Sequence, residues 1–235
     1  MEVIILAGGL GTRLRSVVSE VPKCMAPVAG KPFLWYLLRY LMRYNVTKVI
    51  LSVGYLREVI YKWVDGVKND FPFDFEYATE EEPLGTGGGI KLALSKTSEN
   101  DVLVLNGDTY FDVDLDRFYE QHCKCPSSVS LALKPMKEFD RYGAVETGEC
   151  HIIVAFHEKQ YCKAGLINGG VYLINKQNTN YEALPTKFSF EKEVLEPGVR
   201  KHDIYGFDFG GYFIDIGVPE DYIRANAEFT LLFGI

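Results

Sequence analysis

Over the first ~130 residues short apolar runs alternate with segments of helical period. That rhythm of βα units predicts a mainly parallel sheet flanked by helices. Residues 3–6, 48–53, 73–77 and 102–105 read as strands. Residues 33–44 read as a helix with Leu34, Leu37, Leu38 and Leu41 on one face, and 56–64, 86–94 and 114–122 as further helices. The second half is less regular. Strands are expected at 129–133, 143–145, 152–156 and 170–174, and a closing helix at 219–229 with a proline in its first turn. No repeat, low-complexity tract or linker interrupts the pattern. The expectation is one domain over 1–235: α/β, a Rossmann-like, mainly parallel sheet with additional strands laid over one side in its later part.

Composition narrows the function classes. The chain of 235 residues is 47% hydrophobic and 24% charged, enough for a sizeable core. Its net charge of −7 argues against a broad basic face for nucleic acid. No apolar run approaches the ~20 residues that span a bilayer, and the start of the chain lacks the basic region of a signal peptide. A cytoplasmic protein with no membrane partner is expected. The five cysteines, Cys24, Cys123, Cys125, Cys150 and Cys162, have no metal-ligand spacing and read as free thiols of a reducing compartment.

The first strand runs directly into Leu6-Ala7-Gly8-Gly9-Leu10-Gly11-Thr12-Arg13-Leu14. In an α/β sheet ligands bind beyond the carboxyl ends of the strands, and glycines there let backbone N–H groups approach phosphate oxygens. The loop is neither a P-loop, lacking Gly-Lys-Ser/Thr, nor a dinucleotide fingerprint, lacking the third glycine. Alone it is a weak signal, which a plain tight turn explains equally well. Arg13 adds a fixed cation for phosphate, and Lys23 follows in Pro22-Lys23-Cys24-Met25-Ala26-Pro27-Val28, whose prolines hold the segment extended.

The pair LAGGLGTRL and PKCMAPV resembles the opening of the sugar nucleotidyltransferase family, with Cys24 in place of that family's usual second proline. The later motifs extend the likeness to nearly the whole chain. The resemblance implies a nucleotide-diphospho-sugar transferase fold. It also implies an enzyme that joins a nucleoside monophosphate to a sugar 1-phosphate and releases pyrophosphate. Leu6, Gly8, Gly9, Gly11 and Thr12 would then hold the nucleotide, and Arg13 and Lys23 would bind the triphosphate and stabilise the leaving pyrophosphate. Asp108 of Asn106-Gly107-Asp108 and Asp215 of Phe213-Ile214-Asp215-Ile216-Gly217 occupy the positions at which the family holds Mg²⁺, the expected cofactor, and Asp108 counts with Arg13 and Lys23 as catalytic. Mg²⁺ commonly takes one or two carboxylates plus substrate phosphates. Cys24 is read as a small packing residue.

By the same resemblance Glu80-Glu81-Glu82-Pro83-Leu84-Gly85-Thr86 faces the nucleobase, with Glu80, Glu81, Gly85 and Thr86 as contacts and Glu81 as the preferred reader. A carboxylate matches the adjacent N1–H and N2–H₂ donors of guanine, which favours GTP over UTP. The sugar side falls on Tyr142-Gly143, Glu158-Lys159 and Asn168-Gly169. The run GTRLRSVVSEVPKCMAPVAGKPFL is most similar to bacterial D-glycero-D-manno-heptose 1-phosphate guanylyltransferases, which makes that heptose phosphate the expected partner of GTP. Mannose 1-phosphate with GTP, or another sugar 1-phosphate with UTP, is the alternative. The stretch after the closing helix is too short for the left-handed β-helix borne by some relatives. A homo-oligomer is compatible with all of this. Two other classes compete: a nucleotide-using kinase or NTPase, against which the missing P-loop speaks, and a non-catalytic sugar-nucleotide sensor, against which the retained Arg13, Lys23, Asp108 and Asp215 speak.

Overall fold

A computed structural model of the protein describes residues 1–9 and 20–234. Four strands form the parallel part of the main sheet: β1 (Glu2–Leu6), β4 (Lys48–Val53), β5 (Asp74–Thr79) and β6 (Asp101–Asn106), in the order β6-β1-β4-β5. Between them run β2 (Pro27–Val28) and β3 (Lys31–Pro32), a small antiparallel pair, and the helices α1 (Phe33–Leu41), α2 (Arg57–Val67) and α3 (Gly85–Leu94). Alternation along β1 explains the layering. Val3 and Ile5 point into a core shared with α1, while Ile4 points into a second core shared with Ile90, Ala93 and Leu94 of α3. Both sheet faces are therefore covered, and β1, β4 and β6 read as nearly continuous apolar runs, whereas the edge strand β5 alternates.

The second half follows with β7 (Thr109–Phe111), α4 (Leu115–Cys123), β8 (Val129–Phe139), β9 (Gly143–Thr147), β10 (Ile153–Lys159) and β11 (Cys162–Asn175). A π-helical turn at Glu191–Leu195 then precedes α5 (Glu196–Lys201), β12 (Ile204–Asp208), β13 (Phe213–Asp215) and α6 (Pro219–Phe233). β8, β9, β10 and β11 are the additional strands anticipated from the sequence, whereas β7, β12 and β13 were not. β11 lies antiparallel against β6 and carries β8 and β9 on its other pairings, with β12 parallel to β8.

The elements differ in extent from the sequence expectation. α1 stops at Leu41 because the next residues tighten into a turn, Arg43 N–H donating to Tyr40 and Tyr44 N–H to Leu41. β8 runs through Pro135, which sits opposite Leu166. β12 reaches only as far as Leu133, so β8 is a free edge on that side and a proline without N–H is tolerated there.

Candidate active site

The carboxyl ends of the parallel strands converge on one cleft of about 400 Å³. β1 delivers Leu6, Gly8 and Gly9, β4 delivers Ser52, β5 delivers Glu80, and β6 delivers Asn106 and Asp108, while Gly85, Thr86 and Gly89 enter from α3. The crevice lies where β6 is flanked by parallel β1 on one side and antiparallel β11 on the other.

At one end of the cleft Lys23 Nζ donates to Asp108 Oδ2 at 2.8 Å. Lys23 opens a 3₁₀ turn, Lys23–Met25, held by Met25 N–H to the Pro22 carbonyl. The next residue, Cys24, is buried, and its Sγ approaches the Ala7 carbonyl at 4.0 Å. Burial, reinforced by the Asp108 charge, pushes the Cys24 thiol up to about 12. A thiolate is strongly disfavoured there, as suits a packing residue.

β7 and β13 bring the second carboxylate in. They pair antiparallel with Asp215 opposite Thr109, and Ile216 N–H donates to the Asp108 carbonyl at 3.0 Å. Asp108 and Asp215 thus stand diagonally across one short ladder. Asp215 Oδ1 accepts from Gly217 N at 2.7 Å. A Cβ at Gly217 would lie 2.7 Å from that oxygen and 3.2 Å from Lys23 Nζ, so Asp215 and Lys23 close around the same point. Among the described residues no group of three or more His, Cys, Asp or Glu side chains is placed to hold a metal.

At the other end Glu80 turns into the cleft. Its Oε2 accepts from Leu84 N at 2.9 Å and its Oε1 from Ser52 Oγ at 3.3 Å. A Cβ on Gly8 would meet Glu80 Oε1 at 3.0 Å and one on Gly89 at 2.9 Å, so both glycines make room for this carboxylate. Glu81, preferred as base reader from the sequence, is placed otherwise. Its carboxylate pairs with Arg57 at 3.1 Å, is 77% exposed and does not line the cleft. The cause is the pleat: Glu80 N–H continues the β5–β4 ladder onto the Val53 carbonyl, so successive side chains leave on opposite faces.

Leu6, Gly8, Gly9, Lys23, Glu80, Gly85, Thr86 and Asp108 therefore meet in one place. Gly11, Thr12 and Arg13 lie outside the described residues. Among the sugar-side candidates, Gly169 packs on Phe111, and a Cβ at the following Gly170, whose φ is +71°, would meet Asn106 Nδ2 at 2.7 Å. Asn168 donates to Tyr172 Oη and accepts from Gly170 N, each at 3.0 Å. Tyr142 packs edge-on to Phe213, near Asp215. Burial first, and then the Asp215 charge, pushes its phenol up to about 12. Glu158 and Lys159 stand apart from the 400 Å³ cleft. With Gly143 they line a separate recess of about 430 Å³ against Val199 and Arg200 of α5. Ser52 was missed by sequence reasoning. Its signal was a lone hydroxyl inside the apolar run Val49-Ile50-Leu51-Ser52-Val53.

Residues 2–230 match the family model for nucleotidyl transferases. The chain is 50% identical, over 97% of its length and 98% of the relative's, to D-glycero-alpha-D-manno-heptose 1-phosphate guanylyltransferase of Aneurinibacillus thermoaerophilus. It is 48% identical, over 94% and 97%, to the enzyme of that name from Campylobacter jejuni. Among solved structures it superposes on HddC from Yersinia pseudotuberculosis complexed with GMP-PN with a TM-score of 0.83. The identity is 38%, over 97% of this chain and 99% of that one.

Proposed function

The chain belongs to the nucleotidyl transferase family, and from that premise we infer that it transfers the guanylyl group of GTP to D-glycero-α-D-manno-heptose 1-phosphate, forming the GDP-sugar. The observation that carries this reading is the 400 Å³ cleft itself. It has a carboxylate suited to guanine at one end and a lysine between two aspartates at the other, in a chain half identical to heptose guanylyltransferases.

In the reaction a phosphate oxygen of the sugar phosphate forms a bond to the α-phosphorus, and the bond from that phosphorus to the β-phosphate bridge oxygen breaks. Pyrophosphate leaves with the electron pair. The nucleophile is already an anion, so the protein's work is positioning and offsetting charge. We assign Lys23 to the departing pyrophosphate, together with Arg13. Glu80 has lone pairs left on both oxygens after accepting from Ser52 and Leu84, and these take N1–H and N2–H₂ of guanine. Gly8 and Gly9 keep the β1 turn free of side chains beside the phosphates. We place the entering sugar phosphate on the side of Asn168, bonded to the Gly170 amide, of Gly169, packed on Phe111, and of Tyr142, close to Asp215.

The two aspartates suit a divalent cation. They offer only oxygen donors from neighbouring positions of one ladder, which fits Mg²⁺ with substrate phosphates completing its shell. Mg²⁺ bound there supplies charge neutralisation between nucleotide and sugar phosphate. Lys23 then has a second duty: it holds Asp108 in place before the substrates arrive.

The test is a matrix of four NTPs against heptose, mannose and glucose 1-phosphates, scored by pyrophosphate release. Release with GTP that depends on heptose 1-phosphate is expected. Phosphate release without sugar would indicate an NTPase, preference for mannose 1-phosphate or UTP would change the substrate, and binding without turnover would indicate a sensor.

A further inference from the structure

The run Gly85-Thr86-Gly87-Gly88-Gly89 has the composition of a phosphate loop, yet three of its four glycines face protein. Gly85 has a φ of +75°, and a Cβ there would stand 2.6 Å from the Phe188 carbonyl oxygen. A Cβ on Gly87 would overlap the Phe188 ring, and one on Gly88 would overlap the Thr186 carbonyl. The main chain pairs as well. Gly87 N donates to the Phe188 carbonyl at 3.1 Å, and Phe188 N donates to the Leu84 carbonyl at 3.0 Å. The intervening Thr86 is held by the same segment: its Oγ1 accepts from Phe190 N at 3.2 Å and donates to Glu191 Oε2 at 3.1 Å. Only Gly89 faces the cleft's carboxylate, Glu80.

We propose that Phe188 and Glu191 are positioning residues for the nucleobase: the strap 186–191 seats the first turn of α3 and so fixes Gly85 and Thr86 opposite Glu80. Phe188 belongs to the core beneath α3, with Ile90, Leu94 and Phe190. Its ring occupies the volume that side chains at the glycine face would need. The α3 rim is therefore held from outside the cleft by the strap as well as from inside by the bond from Leu84 N to Glu80 Oε2. Phe188 and Glu191 do not line the cleft, so they act through Thr86 and Gly85, which do. The strap is anchored upstream too, where Lys91 Nζ of α3 donates to the Glu182 and Leu184 carbonyls at 3.2 and 2.6 Å.

This rests on the cleft being the GTP site, and the test separates the two. Steady-state constants are measured for both substrates, with GTP and with inosine triphosphate. The proteins are wild type, Gly87→Ala, Gly87→Ala/Phe188→Val and Glu191→Gln, each checked for its thermal unfolding midpoint. Gly87→Ala is expected to raise the KM for GTP on the order of 10-fold or more, the scale of lost positioning. KM for heptose 1-phosphate should stay within about two-fold, a separation that general destabilisation does not produce. Phe188→Val, by vacating the ring's volume, should recover most of that loss in the double variant. Glu191→Gln, at an exposed side chain, should raise KM for GTP a few-fold, the scale of one ordinary net hydrogen bond, with kcat little changed. If the double variant is no better than Gly87→Ala, the added methyl meets the nucleotide rather than Phe188, and the inference fails. The same follows if Gly87→Ala folds and leaves KM for GTP unchanged. Should Gly87→Ala fail to fold, Glu191→Gln decides alone: no shift in KM for GTP overturns the proposal. If wild type does not use GTP at all, the reading of the cleft fails instead.

Discussion

Glu80 and Glu81 are chemically identical neighbours, and one change of pleat direction gives them different work. Glu80 is half-buried, bonded by Ser52 and the Leu84 amide and aimed into the cleft, whereas Glu81 pairs with Arg57 at the surface. Glu80→Gln replaces an acceptor with a donor facing guanine donors. That costs about 1–3 kcal/mol, on the order of 10-fold to 10²-fold in kcat/KM for GTP. Glu81→Gln loses only a solvent-screened surface pair and should leave both stability and kcat/KM for GTP near wild type. Steady-state kinetics on the two variants decides the assignment, and the reverse ranking would restore Glu81 as the base reader. Lys23→Ala carries a different signature. It removes a charge partner of the leaving group and uncovers Asp108 at once, so turnover at saturating substrates should fall on the order of 10²-fold or more. Single-turnover measurement, with enzyme in excess over GTP and heptose 1-phosphate saturating, locates that loss in the chemical step.

Among the elements, the sequence disclosed those built from local signals and concealed those defined by distant pairing. Residues 48–53 are the strand β4 as expected, because a run of apolar β-branched residues between polar breaks needs no context. The βα rhythm likewise disclosed the parallel character of the first half, though not its strand order. β7 and β13 escaped notice at three residues each, and their existence depends on each other across the chain. With them went the pairing that sets Asp108 and Asp215 at neighbouring positions of one ladder, although both residues were visible as candidates. The glycines of α3 misled in another way, since their composition suggests ligand contact while their neighbours are Phe188 and Thr186. The turn from β13 into α6 gives an element-scale test. Gly217→Ala places a methyl between Asp215 Oδ1 and Lys23 Nζ, at 2.7 and 3.2 Å, without touching either core. Displacement of either group by a fraction of an ångström should lower kcat/KM on the order of 10-fold to 10²-fold and shift the Mg²⁺ titration to higher concentration. A thermal unfolding midpoint close to wild type would show that the fold survives.

At the scale of the whole molecule the two ends of the parallel sheet are specialised. The carboxyl ends hold the cleft, and the amino ends are locked by buried ionisable groups that the chemistry does not use. Glu2 is 3% exposed and accepts from the Ser98 and Glu99 amides at 2.6 and 2.9 Å, from Ser98 Oγ at 3.0 Å and from Lys48 at 2.9 Å. Burial alone would raise its carboxyl. The Glu99 amide, Lys48, and the Ser98 amide and hydroxyl together outweigh burial and lower it to about 2. Nearby, His122 is buried between Ser127, Ser130 and Asp101, and burial lowers its imidazole despite Asp101. Both shifts have the same sign for stability, because in each case the unfolded chain binds the proton more readily. The His122 contribution is complete above its unfolded value near 6.5 and is lost as pH falls through the depressed folded value. The Glu2 contribution is complete above about 4.5 and is lost between there and about 2. It amounts to at most about 3 kcal/mol at neutral pH. Glu2→Gln should therefore be less stable than wild type at pH 7, with the difference shrinking steadily as pH falls from 4.5 to 2. Its kcat/KM for GTP at pH 7 should be unchanged, since the lock is at the end of β1 away from the cleft. Urea unfolding across that pH range measures the difference directly, and a gap between the two proteins that stays constant with pH would remove Glu2 from the acid response.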